Sequence, residues 1–256
     1  MKKNKIVIAN WKMKLTLAES LKLAKAFIKK FKNLKKGEIV ICPSFIILDE
    51  ISQLVKKTNI IKVGAQNVFW EESGAYTGEI SPTMLIEAGC KYVIIGHSER
   101  RKYLLENYGM IHKETKAALD AGKLTPIVCI GENWEERKTD RRDFVLADQL
   151  QLALAGINII GNQQVIVAYE PIWAIGTGTA MEPAEAEYSH KIIKLTLNNM
   201  FGMRVVNNNF RIVYGGSINS QNVKGFAKID YLDGLLVGGA SLDTNEFYKV
   251  AKAIIK

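Results

Sequence analysis

A chain of 256 residues with 48% hydrophobic content is long enough to close one large core and near the upper size for doing so, which predicts one domain over residues 1–256. Its three cysteines, Cys42, Cys90 and Cys129, lie far apart without C-x-x-C spacing, which excludes a disulfide framework or a zinc knuckle and suits a reducing cytoplasm. The formal charge of +9 arises from 35 basic and 26 acidic residues, but lysines such as Lys22, Lys25, Lys29, Lys30 and Lys32 recur beside apolar positions at helical spacing. They read as a solvated helix face, not as a nucleic-acid surface, and leave a general pull on anionic substrates.

The chain opens on MKKNKIVIANWKM, where only four apolar residues, Ile6 to Ala9, precede Asn10; that is too short for a secretory core or a membrane span. KIVIAN reads as a first strand ending on Asn10, with Lys12 just beyond, and LAESLKLAKAFIKKF as an amphipathic helix. EIVICPS and IIKVGAQ follow as second and third strands, and KYVIIGH as a fourth ending on His97. LTPIVCIGE places Glu132 after a fifth strand, and QVIVAYE places Glu170 after a sixth. FRIVYGG is a seventh, followed by Ser217 behind Gly215 and Gly216. DGLLVGG ends the eighth on Gly238 and Gly239 before a last helix, DTNEFYKVAKAII.

Strands alternating with helices imply parallel pairing through crossovers, and near-continuous apolar strands imply burial on both faces. Eight such units in about 250 residues predict an α/β fold of the closed (β/α)8-barrel type. An open doubly wound sheet lacks its sign, because the third glycine of G-x-G-x-x-G would fall at Met181. The closed barrel brings every strand end to one mouth. There the glycine pairs YGGS and VGGAS, on the last two strands, suit an anion held by backbone N–H groups at helix starts.

An anion at that end, with a carboxylate and a histidine opposite, points to acid–base chemistry on a small phosphorylated molecule. The three histidines form no H-E-x-x-H and pair with no cysteine, and G-x-S-x-G is absent, so neither a metal centre nor a serine hydrolase is expected. His112 and His190 read as helix residues near solvent. His97 opens SERR, where Ser98 is the expected helix cap and Glu99 lies in the first turn. At a helix N-terminus the imidazole stays neutral and donates a hydrogen bond to a carbonyl oxygen.

The stretches ANWKM, GAQN, GAYTGEIS, YVIIGHSERR, PIVCIGE, AYEPIWAIGTG, YGGSI and LVGGASL together resemble the triosephosphate isomerase family along essentially the whole chain. The resemblance implies interconversion of dihydroxyacetone phosphate and glyceraldehyde 3-phosphate through an enediolate, with no cofactor. Glu170 matches the general base, His97 the neutral electrophile, and Lys12, helped by Asn10, the cation that holds the substrate; Glu99 matches a supporting residue beside them. Gly176, Ser217, Gly238 and Gly239 match the backbone amides that hold the phosphate. Cys129 reads as packing, and Arg100 and Arg101 as structural ion pairs or subunit contacts.

The family also implies a homodimer in which the GAYTGE loop enters the neighbouring subunit and Thr77 approaches the site around Asn10. The stretch NVFWEESG before it, with Phe69 and Trp70, suits an interface core. EPIWAIGTG then divides into the base Glu170, a first hinge from Pro171 to Trp173, and a lid tip from Ala174 to Gly178. The second hinge departs from the family's Lys-Thr-Ala-like pattern and is Thr179, Ala180 and Met181. Two other readings keep part of this pattern. Another phosphate-binding barrel isomerase would keep the glycine pairs but not NWKM, GHSERR and AYEPIWAIGTG together; an inactive relative retained for binding or adhesion has no use for Lys12, His97 and Glu170 together.

Overall fold

Each of the eight apolar runs becomes a strand: β1 (Ile6–Asn10), β2 (Glu38–Cys42), β3 (Ile61–Ala65), β4 (Tyr92–Ile95), β5 (Thr125–Ile130), β6 (Val165–Tyr169), β7 (Phe210–Tyr214) and β8 (Gly234–Val237). This computed structural model describes residues 4–175 and 181–255. All neighbouring strands pair in parallel, and β8 closes on β1 in the register Ile6↔Gly234 to Ala9↔Val237. The expected closed barrel of a single-domain α/β fold is therefore the one observed.

Strand period two sorts the apolar residues between two cores. Ile6, Ile8, Val40, Ile94, Ile127, Ile166 and Val213 fill the barrel. Their neighbours Val7, Ala9, Ile39, Ile41, Val128 and Val167 face outward and are covered by helices. The helix Leu17–Phe31 starts at a capping box between Thr16 and Glu19 and buries Leu23, Ala24, Phe27 and Phe31. Its lysines Lys25, Lys29 and Lys30 are exposed, so this part of the positive charge is the solvated face expected from the spacing. Phe27 stacks on Phe247 of the last helix, Thr244–Ile254, at 5.0 Å, which joins the two ends of the chain around the barrel.

The amino-terminal end of the barrel is plugged: Arg211 on β7 reaches Glu38 on β2 at 3.3 Å and the Tyr92 hydroxyl on β4 at 3.4 Å. The carboxyl end is left for Asn10, His97 and Glu170. Among the described residues no helix is long and apolar enough to cross a membrane.

His190 departs from the expectation of a residue near solvent: it is fully buried, edge-on to Tyr169 at 6.0 Å. Ala186, His190, Ile193 and Leu197 form one buried stripe of the helix Pro183–Phe201, a three-and-four spacing that carries the histidine inward with its apolar neighbours. His112 is half-buried, with Nδ1 3.3 Å from the Ala153 carbonyl.

Two buried titratable groups shift in opposite directions and contribute opposing slopes to the pH dependence of stability. Burial, reinforced by the nearby Glu106 charge, pushes the Glu114 carboxyl from 4.5 up to about 9. Burial lowers His190 from 6.5 to about 4. An acid raised in the folded state keeps its proton after the unfolded chain has lost it, so stability falls as pH rises through that window; a depressed base works the other way, losing stability as pH falls from 6.5 towards 4. The two slopes oppose each other between 4.5 and 6.5, and above 6.5 only that of Glu114 remains. Glu114→Gln is expected to flatten the decline of Tm on the alkaline side, measured by thermal unfolding across pH; an unchanged decline contradicts the assignment.

Candidate active site

A cleft of about 350 Å³ opens at the carboxyl end of the barrel, lined by Asn10, Lys12, His97, Glu170, Ser217, Gly238 and Gly239 among others. Its size suits a small molecule. The strand-end residues singled out from the sequence thus meet in one place.

Lys12 lies just past the end of β1 with φ of 51°, a left-handed conformation that a lysine adopts only when its surroundings impose it. Two contacts do so. The Asn10 side-chain oxygen accepts the Lys12 N–H at 3.1 Å, an Asx-type turn, and the Gln66 amide donates to the Lys12 carbonyl at 3.0 Å. Gln66 also donates to the Cys42 carbonyl at 2.9 Å, so it ties the β1 turn to the end of β2. The ammonium is thereby delivered to the cleft, 2.6 Å from Glu99 and beside Gly238, where an added Cβ would lie 3.7 Å from Nζ.

His97 corrects the expected cap. The cap of the helix Ser98–Tyr103 is His97 itself, whose Nδ1 accepts the Glu99 N–H at 3.3 Å, and Ser98 is the first helical residue. The physical reason is that a ring nitrogen accepts an orphan amide as a serine oxygen would, while the Ser98 amide is needed elsewhere. That bond requires a lone pair on Nδ1, which assigns the ring the tautomer carrying hydrogen on Nε2. Nε2 points at Glu170 Oε1, 3.1 Å away, without the alignment of a hydrogen bond.

Glu170, directly after β6, is fully buried although it lines the cleft. Its Oε2 accepts the Ser98 N–H at 2.9 Å. The guanidinium of Arg101 stands 3.9 Å from the same oxygen, fixed by Nε donating to the Gly96 carbonyl and Nη1 donating to the Tyr108 hydroxyl, both at 2.9 Å. Both arginines thus make structural ion pairs within the chain, Arg101 with Glu170 and Arg100 with Glu106, which also accepts the Gly96 N–H at 2.9 Å. Cys129 is fully buried, and burial, then the Glu170 charge, push its thiol up, which fits packing and not nucleophilic chemistry.

At the opposite wall, Gly215, Gly216, Ser217, Gly238 and Gly239 line the cleft with backbone. The Ser217 hydroxyl donates to the Ala174 carbonyl at 2.7 Å and so is engaged with the segment after Glu170. Glu132, the strand-end acid after β5, is outside the cleft lining: fully buried, it accepts from Trp173 Nε1 at 2.8 Å and the Tyr169 hydroxyl at 3.1 Å. The expectations for Gly176 and for the lid from there to Ala180 lie outside the described residues. Thr77 is exposed and not part of the cleft of its own chain. Phe69 packs on Trp70 at 4.1 Å and Tyr76 at 4.6 Å, and Lys113 of the chain's own barrel covers Trp70 at 5.1 Å.

A buried carboxylate, an imidazole N–H and an ammonium around one cleft, faced by a backbone-lined wall, define an enzyme of the (β/α)8-barrel class equipped to move protons on a small anion. The comparisons agree. The family model described as "Triosephosphate isomerase" matches residues 5–254. The triosephosphate isomerase of Dictyoglomus thermophilum is 45% identical over 251 residues, covering 98% of this chain and 100% of its own length. That of Thermodesulfovibrio yellowstonii is 44% identical over 248 residues, covering 97% and 98%. The chain belongs to the triosephosphate isomerase family, and its class of activity is isomerisation.

Proposed function

We propose that this chain interconverts dihydroxyacetone phosphate and glyceraldehyde 3-phosphate through an enediolate, with Glu170 as the base. The observation that carries the reading is the meeting of Glu170, His97 and Lys12 in one cleft, with Glu170 Oε1 3.1 Å from His97 Nε2. The two trioses are isomers, so moving one carbon-bound and one oxygen-bound proton completes the reaction, and neither an electron carrier nor a cofactor is called for. Glu170 takes the proton from the carbon beside the carbonyl and returns it to the neighbouring carbon. The Nε2–H of His97 polarises the carbonyl oxygen and serves both oxygens in turn. Lys12, set by Asn10 and Gln66 and balanced by Glu99, offsets the charge that develops there.

The amides around Ser217, Gly238 and Gly239 hold the phosphate, and Gly176 joins them from the lid. The lid keeps water from an intermediate that would otherwise expel its phosphate. The same family reading makes the working unit a cytoplasmic homodimer in which the partner's GAYTGE loop supports the turn around Asn10, with no role for nucleic acid or membrane. The half-buried aromatics beside that loop support this. An assay coupling glyceraldehyde 3-phosphate to reduction of dihydroxyacetone phosphate, without added metal, tests the function. Robust turnover is expected; a folded protein with no turnover contradicts it.

A further inference from the structure

Part of the positive charge is gathered at the end of the barrel opposite the mouth, where the mechanism above does not use it. The connections that enter β2, β3 and β4, three neighbouring strands, carry Lys32, Lys35, Lys36, Lys56, Lys57 and Lys91 and no acid. All six are exposed, and among the described residues none takes part in an ion pair. Lys32 and Lys56 follow directly on helix ends, where the dipole favours a cation; Lys35, Lys36 and Lys91 stand beyond its reach. At the mouth the sign reverses, for the connection that leaves β3 carries Glu71, Glu72 and Glu79 and no basic residue. Within the basic patch lies a recess of about 300 Å³, lined among others by Lys56, Lys62 and Lys91, by the buried Val55 and Ile61, and by one acid, Glu87.

We propose that this face is a docking surface for an acidic polypeptide, one glutamate of which enters the recess. The choice of partner follows from the chemistry. The lysines around the recess suit a carboxylate, and Val55 and Ile61 suit the methylenes that carry it, which a bare phosphate lacks. Among the described residues, the three connections offer no exposed aromatic ring for a nucleic-acid base to stack on and no large exposed apolar side chain to enter a bilayer. Lysine ammonium groups are strongly hydrated point charges, so the contact is salt-sensitive and readily reversed. The face lies at the opposite end of the strands from Lys12, His97 and Glu170, so a docked partner leaves the cleft open.

The test measures, by fluorescence anisotropy, the binding of labelled poly-L-glutamate to the folded wild-type protein. Binding is expected, and it should weaken about tenfold between roughly 50 and 200 mM salt. Lys56→Glu combined with Lys91→Glu is expected to lower the affinity by about tenfold or more while kcat stays unchanged. Lys25→Glu combined with Lys29→Glu alters the net charge equally, but on the solvated helix face, and is expected to cost less than about twofold. If the charge-reversed pair does not fold, Lys56→Ala with Lys91→Ala makes the same measurement. A wild-type protein that does not bind overturns the proposal, as does an equal loss in the two pairs, which would mean that only net charge counts. Tighter binding of polyuridylate or of phosphatidylserine vesicles than of poly-L-glutamate, with the same dependence on Lys56 and Lys91, overturns the assignment of an acidic polypeptide.

Discussion

Glu170→Gln is expected to lower kcat by a thousandfold or more, at the upper part of the roughly 10²–10⁴-fold range typical of a positioned general base, while the affinity for inorganic phosphate changes little. The expectation is sharp because the exchange is isosteric. The carbonyl oxygen of the substituted side chain would still accept the Ser98 N–H, which Glu170 Oε2 now accepts at 2.9 Å. The phosphate wall of Ser217 and Gly238 would be untouched. The amide has no basicity to offer a carbon-bound proton. Steady-state kinetics with a parallel phosphate-inhibition series make the measurement; a loss of less than tenfold would mean that another group is the base.

The second large effect concerns stability. Gly131 directly follows β5, beside the end of β6, and a Cβ there would fall 1.7 Å from the Glu170 carbonyl oxygen and 2.6 Å from its carbon. These are backbone atoms and cannot rotate aside. The Glu170 N–H is also bonded to the Ile130 carbonyl at 2.7 Å, and Gln149 clasps Gly131 from behind, accepting its N–H at 2.7 Å and donating to its carbonyl at 3.2 Å. Gly131→Ala must therefore part the seam that carries the base. A destabilisation of about 4 kcal/mol or more is expected, seen as a Tm lowered by roughly 10 °C or as failure to fold. Gly239→Ala is the control, because among the described residues nothing stands within 4 Å of the added carbon. Equal stability of the two variants would contradict the steric argument.

The barrel was legible because parallel strands buried on both faces must be apolar throughout, so eight short runs stood out against the helices between them. Register was not legible, since it depends on close approaches such as that at Gly131, which no local pattern reveals. At the site, the rule that chemistry gathers at strand ends found Asn10, Lys12, His97 and Glu170. It applies equally to Gln66, directly after β3, whose contacts no local pattern reveals: its amide donates to the carbonyls of Lys12 and Cys42 and holds Lys12 in a strained turn. Arg101 lies inside its own subunit, against Glu170, a contact set by how the helix Ser98–Tyr103 turns in space. Ser98 looked like the cap because serine usually is one, and only the competing demand of Glu170 for its amide hands the cap to His97.

Met181 and Glu114 show the same limit from the other side. A methionine before a helix and a glutamate within one carry no mark of burial in their local sequence. Met181 is 2% exposed and packs in the core that also holds Tyr169 and Tyr214. Glu114 shares a buried stripe with Ile111, Thr115 and Ala118.

The central claim, that Glu170 takes a proton from carbon and gives one back, is tested most directly by running the wild-type isomerisation in D₂O. The carboxyl proton held between the two transfers exchanges with solvent. The product should then carry deuterium on the carbon that receives the proton, detected by mass spectrometry or NMR, with incorporation rising the longer the intermediate lives. Product still free of deuterium at that carbon after many rounds of interconversion would mean that hydrogen moves directly between the carbons, and would contradict the enediolate and its base.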